Sequence, residues 1–267
     1  MLKDITLGQF FPGHSLLHRL DPRVKLVLTV AYIVALFMAH GALTYGVMIL
    51  WLSAAVRLSR LRVRVLLKGI RPLVFIISLT ALLNILYTDG TVLLSFWVFR
   101  VTTEGLVTAG RMVLRIIMLI MGTFLLTYTT SPIRLTDALE CLLGPLKKLR
   151  APVHELATMM TIALRFIPTL LEETDKIMNA QRARGADFDS GHVVRRARAL
   201  VPLLVPLFVS AFRRAEDLAV AMECRCYHGG EGRTRMRPLR MTPLDGSILA
   251  ALLVVSAGVG VMSRFGY

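Results

Sequence analysis

The sequence predicts an all-α integral membrane protein of about five transmembrane helices plus a block of long cytoplasmic helices. Three observations carry that reading. The 267-residue chain is 55% hydrophobic, with a mean hydropathy of +0.63 that is high for a soluble domain. Its formal charge is nevertheless +15, and the two together point to a membrane protein with a cationic cytoplasmic side. The basic residues lie mainly at the ends of apolar runs. A nucleic-acid surface would gather them on a polar face, so no nucleic acid is expected as a partner.

The N-terminal stretch "MLKDITLGQFFPGHSLLHRLDPR" has no continuous apolar segment, and no cleavable signal peptide is expected. From Leu26 to Val56 there is no Lys, Arg, Asp or Glu. As one helix this run would be about 46 Å long, too long for a single simple crossing. Arg19, Arg23 and Lys25 precede it, and Arg57, Arg60, Arg62, Arg64, Lys68 and Arg71 follow it. Two tight spans turning near His40-Gly41 keep both clusters on one side, as the positive-inside rule prefers. Flanking residues complete each span by snorkelling.

A third span, about Pro72 to Thr88, leads outward to Asp89-Gly90. The segment "TVLLSFWVFRVTTEG" (91–105) is apolar but short, and reads as an external strand-like or re-entrant piece. A fourth span, roughly Gly105 to Thr129, returns inward. Its Arg111 and Arg115 share one helical face. Charge at membrane depth is costly, so that face should point into protein or water, unless Arg111 only snorkels outward. The last span, Leu244 to Met262, contains Gly246, Gly258 and Gly260, which permit close helix packing. It follows Arg233, Arg235, Arg237 and Arg240, so it starts inside and leaves the C-terminus outside.

Residues 131–243 are too long and too patterned for a loop. Ser131-Pro132 is a helix start signal, and Gly144-Pro145 interrupts the helix that follows. In "APVHELATMMTIALRFIPTLLEETDKIMNAQRARGADF" the apolar positions Leu156, Met159, Met160, Ala163, Leu164 and Ile167 follow helical spacing. Pro168 should kink this helix without ending it, and Gly185 suits a C-terminal cap. A further stretch, "VVRRARALVPLLVPLFVSAFRRAEDLAVAMECRCY", repeats the plan. Its charge-free run Ala199 to Phe212 is expected to be broken by Pro202 and Pro206, and is short for a span.

The two long stretches end alike. At an offset of 41 residues Asp175 matches Glu216, Ile177 matches Leu218, Ala180 matches Ala221 and Arg184 matches Arg225. A cation at a helix C-terminus offsets the dipole by about 0.3–1 kcal/mol, and that alone could account for both arginines. The repeat also fits two equivalent helix ends presented to two similar partners. Both readings stand on the motifs alone.

Cys141, Cys224 and Cys226 make no disulfide framework, and the C-x-C pair lacks a second ligand pair at zinc spacing. No H-E-x-x-H, nucleophile elbow or Walker A sequence is present, and the six histidines are scattered. A membrane enzyme is therefore disfavoured, and no catalytic residue, cofactor or metal is expected. A proton- or sodium-coupled secondary carrier would use acidic residues well inside its spans, and the one acidic residue within the expected bounds, Asp245, sits at the very start of the last span.

Nearly the whole chain resembles the transmembrane T component of energy-coupling-factor transporters, the ATP-driven vitamin and metal-ion importers of prokaryotes. The resemblance rests on "GHSLLHRLDPRVKL" (13–26), "LTDALECLLGPLKKLRAPVHELATMMTIALRFIPTLLEE" (135–173), "AQRARGADF" (180–188) and "AMECRCYHGGEGRT" (221–234). It implies a non-enzymatic energy-coupling subunit in the cell membrane. Two x-Arg-Gly-type motifs would end long cytoplasmic coupling helices and dock into two ATP-binding ATPase subunits. By position these are Ala183-Arg184-Gly185 and Cys224-Arg225-Cys226. The second departs from the pattern in its two cysteines, which puts its cap geometry in question, because cysteine tolerates a left-handed backbone poorly. A separate vitamin- or metal-ion-binding S component would rest on the coupling helices, with Met159, Met160 and the Leu203–Phe208 region as candidate contacts. The implied organisation is a membrane region (1–130) with four transmembrane helices and a cytoplasmic N-terminus, a coupling-helix region (131–243), and a C-terminal transmembrane helix (244–267).

This topology predicts that a cysteine label at position 89 reacts from outside intact cells and one at position 189 only from the cytoplasm. A tag after Tyr267 should be external. A tag protected in intact cells contradicts five spans.

Overall fold

The computed structural model describes residues 10–264 apart from 89–90, 97–98, 150–151, 187, 189–192, 231, 233, 235 and 237–238. The turn expected at Asp89-Gly90 and the basic residues Arg233, Arg235 and Arg237 therefore lie outside the described residues. The chain divides into two compact units, Gln9–Ala138 with Leu239–Tyr267, and Leu139–Pro238.

The larger unit is a bundle of apolar helices. A short α1 (Leu16–Arg19) leads into α2 (Pro22–Met38) and α3 (Ala42–Ser59), the hairpin expected around His40-Gly41. Next come α4 (Val63–Ile70), a 3-10 turn at Arg71–Leu73 that absorbs Pro72, and α5 (Val74–Tyr87). Strands β1 (Val92–Phe96) and β2 (Phe99–Thr102) form an antiparallel hairpin in the 91–105 segment. They feed α6 (Thr103–Thr129), and α10 (Pro243–Arg264) completes the unit. Among the described residues four stretches are long and apolar enough to cross a membrane: α3, the run Val63–Tyr87, α6 and α10. With 17 residues, α2 sits at the lower end of the spanning range.

Side chains from α2, α3, α4, α6 and α10 meet in one core around Leu36, Met48, Leu66, Met118 and Leu252. Many other large apolar residues face outward, such as Leu50, Phe75 and Val254. In water that exposure would be costly, whereas hydrocarbon is their natural surrounding. The protein is an all-α membrane protein. Helix α4 was not foreseen in the basic segment, although Val63, Leu66, Leu67 and Ile70 carry helical spacing. Leu66 and Ile70 are buried while Arg64 and Lys68 stay exposed.

Close packing uses one of the expected glycines and others besides. A Cβ on Gly246 or Gly258 would meet nothing, and only Gly260 of the α10 set approaches a neighbour, the Met38 methyl. On α6, a Cβ at Gly122 would fall 2.6 Å from the Tyr32 ring. That contact lets α2 and α6 approach.

Polar side chains close the helix ends. Asp21 caps α2, accepting the Arg23 N–H at 2.9 Å, with Pro22 in the first turn where its missing donor costs nothing. The Asp21 N–H in turn donates to Asp245 Oδ1 at 2.9 Å. Asp245 Oδ2 accepts the N–H and hydroxyl of Thr242, both at 2.7 Å. Lys25 Nζ donates to the Thr129 carbonyl at 3.0 Å and the Thr130 hydroxyl at 3.3 Å, at the C-terminus of α6. At the far end of α2, Arg115 donates to the Ala39 carbonyl at 2.9 Å and to the Tyr45 hydroxyl at 3.0 Å. Its guanidinium also sits 5.8 Å from the centre of the Phe37 ring and 5.9 Å from that of Tyr45. Arg115 thus points into protein. Arg111 is exposed and reaches the His40 carbonyl only at 3.5 Å.

The second unit holds α8 (Val153–Ala183) and α9 (Val193–Glu223), preceded by the end of α7 (Pro132–Leu142) and a 3-10 segment at Gly144–Leu149. Pro168 lies within α8, as expected, and the helix runs on to Ala183. Pro202 and Pro206 do not break α9, contrary to the expectation from sequence. Pro206 has no N–H for the carbonyl of Pro202 four residues back. Gln181 Nε2 of α8 reaches that orphan at 3.4 Å, so the neighbouring helix takes over the missing contact.

Arg115→Leu should lower apparent stability by about 3 kcal/mol, since it removes two bonds from a charged donor and strands the Ala39 carbonyl. Arg264→Leu, at the exposed end of α10, should be nearly silent. Thermal aggregation of the purified chain in detergent measures the difference, and equal small shifts would mean that Arg115 contributes nothing by capping.

Candidate functional site

The candidate site consists of the C-terminal ends of α8 and α9, both in the second unit. At α8, Gly185 has φ +88°. Its N–H donates to the Arg182 carbonyl at 2.9 Å, and the Ala186 N–H reaches back to Gln181 at 3.0 Å. At α9, Cys226 has φ +55°. Its N–H donates to the Glu223 carbonyl at 2.8 Å, and the Tyr227 N–H reaches back to Met222 at 3.1 Å. Each pairing maps onto its counterpart at the 41-residue offset, and together they form the Schellman arrangement. The Arg184 and Arg225 N–H groups match as well, donating at 3.1 Å to Gln181 and Met222.

The geometry doubted for the second motif is therefore adopted. Cys226 takes the left-handed backbone that glycine takes at position 185, at a cost of about 1–2 kcal/mol for its Cβ. The carbonyls of Gln181, Arg182, Met222 and Glu223 are the acceptors that complete both caps. Sequence reasoning missed them because backbone acceptors leave no residue-type signature.

Because the backbone closes both ends, neither arginine side chain is needed for capping. Ala183, Arg184, Gly185, Cys224, Arg225 and Cys226 are all exposed. Among the described residues neither the Arg184 nor the Arg225 guanidinium has a side-chain partner. Chemically, each tip offers a planar five-donor fork suited to paired bonds with carboxylates or carbonyls. Small neighbours at 183 and 185, and thiols at 224 and 226, let another surface approach closely.

The two tips are held by a shared helix contact. Glu173 on α8 accepts from the Ser210 hydroxyl and pairs with Arg214 of α9 at 2.9 Å. The Ser210 hydrogen bond, then the Arg214 charge, hold the Glu173 carboxyl below its ordinary range. Further along α8, Gln181 meets Pro202. Residue numbers rise on one helix as they fall on the other, so α8 and α9 cross in opposite directions. Arg184 lies eleven residues beyond Glu173 and Arg225 eleven beyond Arg214, about 16 Å along each helix from the ion pair. The tips consequently point away from one another. Glu173 and Arg214 are themselves 41 apart, a link in the repeat that sequence inspection could have found.

The segment after the second motif is anchored on α8. His154 pairs with Glu140 at 2.9 Å, and Gly230 lies so close to His154 that an added Cβ would fall 2.3 Å from its ring. Among the described residues no group of three or more His, Cys, Asp or Glu side chains is placed to hold a metal ion. Met159, Met160, Leu204, Val205 and Phe208 are exposed, whereas Leu203 is buried.

Comparisons with known proteins agree over almost the full length. The Cobalt transport protein (CbiQ) family matches residues 13–236. A protein of Thermosediminibacter oceani, the energy-coupling factor transporter transmembrane protein EcfT, is 55% identical over 264 residues, covering 99% of each chain. Proteins of the same name from Bacillus subtilis and Lactococcus lactis are 52% and 43% identical. The first covers 96% of this chain and 97% of its own, and the second 96% of both. The chain belongs to the cobalt transport protein family and, within it, groups with the transmembrane proteins of energy-coupling factor transporters.

Proposed function

We propose that this chain is the energy-coupling subunit of an ATP-driven importer, with Arg184 and Arg225 each anchoring one ATP-binding ATPase subunit. The observation that carries the reading is the pair of exposed helix ends with matching backbone hydrogen bonds, each with a guanidinium that has no partner among the described residues. Two equivalent tips suit two equivalent partners. The names of the relatives support a transporter assembly, and the family resemblance supplies the kind of partner.

The physical mechanism follows from the helices. ATP binding and hydrolysis change the relative position of the two ATPases, and each holds one tip. Helices α8 and α9, locked together at Glu173, Ser210 and Arg214, act as stiff levers, so displacement at a tip is not absorbed locally. The motion passes to a membrane-embedded S component that binds a vitamin or metal ion. In this proposal the exposed apolar residues Met159, Met160 and Phe208 form its resting surface, since methionine adapts to a partner that shifts. The tips and both basic flanks face the cytoplasm, as does the N-terminus.

Removing one guanidinium from a docked groove strands its acceptors, a loss of about 3–5 kcal/mol. A complex held at two points survives one such loss because the second contact is effectively intramolecular. Arg184→Ala or Arg225→Ala alone should weaken ATPase retention and impair uptake in reconstituted vesicles. The double variant should lose the ATPases during purification. Cys226→Gly should retain them, because glycine adopts the same cap without the Cβ cost. If the arginines only offset helix dipoles, each change costs at most about 1 kcal/mol and assembly stays intact. A double variant that retains both ATPases and transports normally rejects the proposal.

A further inference from the structure

Within the larger unit a cavity of about 510 Å³ lies among α2, α3, α6 and α10. That size falls in the roughly 300–1,000 Å³ range of ligand sites. The residues around it come from one end of the bundle: the start of α2, the end of α3, the end of α6 and the start of α10. Its walls are almost wholly apolar, including Leu28, Trp51, Leu52 and Leu125. Lys25 contributes to the wall, but its ammonium is held by Thr129 and Thr130, so it caps α6 and is not free for a ligand.

The cavity has a directed opening. Its exposed lining residues, Ala54, Leu58, Ser247 and Ala251, all belong to α3 and α10. At the other end of the bundle the corresponding space is shut. There His40 meets Ser263 at 3.1 Å, and Met38 packs on Gly260. Since α3 and α10 are both long and apolar enough to span a membrane, a bilayer around them would set acyl chains against the gap between them. Charge completes the site. Arg57 lies three residues from Ala54 and therefore on the same face of α3. Arg60 ends that helix. Both are exposed, and neither side chain has a partner among the described residues.

We propose that this cavity is a lipid site, taking one acyl chain of an anionic phospholipid whose headgroup phosphate sits against Arg57 and Arg60. An apolar cavity lacks the polar partners that water needs, so hydrocarbon is its natural filling. The two arginines at the mouth select the headgroup charge. The site is separate from the two helix tips and does not depend on what they bind.

Trp51 lines the cavity and the chain has two tryptophans, so Trp97→Phe leaves Trp51 as the sole tryptophan, which is excited selectively over the tyrosines at the red edge of their absorption. The full chain is placed in phosphatidylcholine vesicles containing increasing fractions of phosphatidylglycerol with brominated acyl chains, which quench a tryptophan they touch. Parallel vesicles carry brominated phosphatidylcholine. Quenching by the anionic lipid should saturate, reaching half-maximum at a mole fraction at least about fivefold lower than for the neutral lipid. Arg57→Gln should cut that preference by about fivefold, with Arg57→Lys restoring most of it. Ala55→Phe, which fills the cavity, should abolish the saturable phase. If that variant fails to fold, the two-lipid comparison on the Trp97→Phe chain still decides. Quenching that rises in proportion to bulk mole fraction, or equally for both lipids, overturns the proposal.

Discussion

A helix leaves four N–H groups and four carbonyls without helical partners at its ends, and in a membrane protein few of them can turn to water. This chain meets that demand in two different ways. In the larger unit side chains do the work. Asp21 and Asp245 cover the starts of α2 and α10, Lys25 covers the end of α6, and Arg115 covers the end of α2. Asp21 and Asp245 are also bonded across 224 positions of sequence, so the same groups that cap helices fix which helices lie together. In the second unit the backbone alone closes the C-terminal ends of α8 and α9. The arginine side chains at those ends are thereby left out of the capping.

Stiffness follows from the same constraint. A proline inside a helix orphans the carbonyl one turn back, and α9 contains two of them. Gln181 meets the carbonyl left by Pro206, while Glu173 ties Ser210 and Arg214 to α8. Both contacts join the two long helices, and one of them meets the carbonyl that Pro206 leaves without a helical partner. In the proposed mechanism, a displacement applied at either tip is carried along the helices and past the crossing. That is the property a coupling element needs.

Much of this architecture was legible in the sequence. The charge-free run after Leu26 was too long for one span and basic at both ends, which required a hairpin. The 41-residue repeat located both tips. What remained hidden has physical reasons. Lys25 counts as a charge that ends a span, yet it folds back onto Thr129 and Thr130 and lets α2 begin at Pro22. Asp245 and Arg115 each bind backbone groups as well as a hydroxyl, and those backbone partners are invisible to residue type. Pro206 read as a breaker because the contact to the carbonyl it orphans comes from another helix. Cys226 read as a poor cap because intrinsic preference favours glycine, and the cap's own hydrogen bonds outweigh that preference.

The central claim is that α8 and α9 end in two equivalent anchors, each for its own ATPase. A photoreactive amino acid at position 183 or 224, beside each arginine, tests it in membranes containing the whole complex. The account predicts that each position crosslinks to an ATPase polypeptide. With both positions labelled, one chain should capture two ATPases. Capture at only one position, or crosslinks solely to lipid or to the chain itself at both, would contradict it.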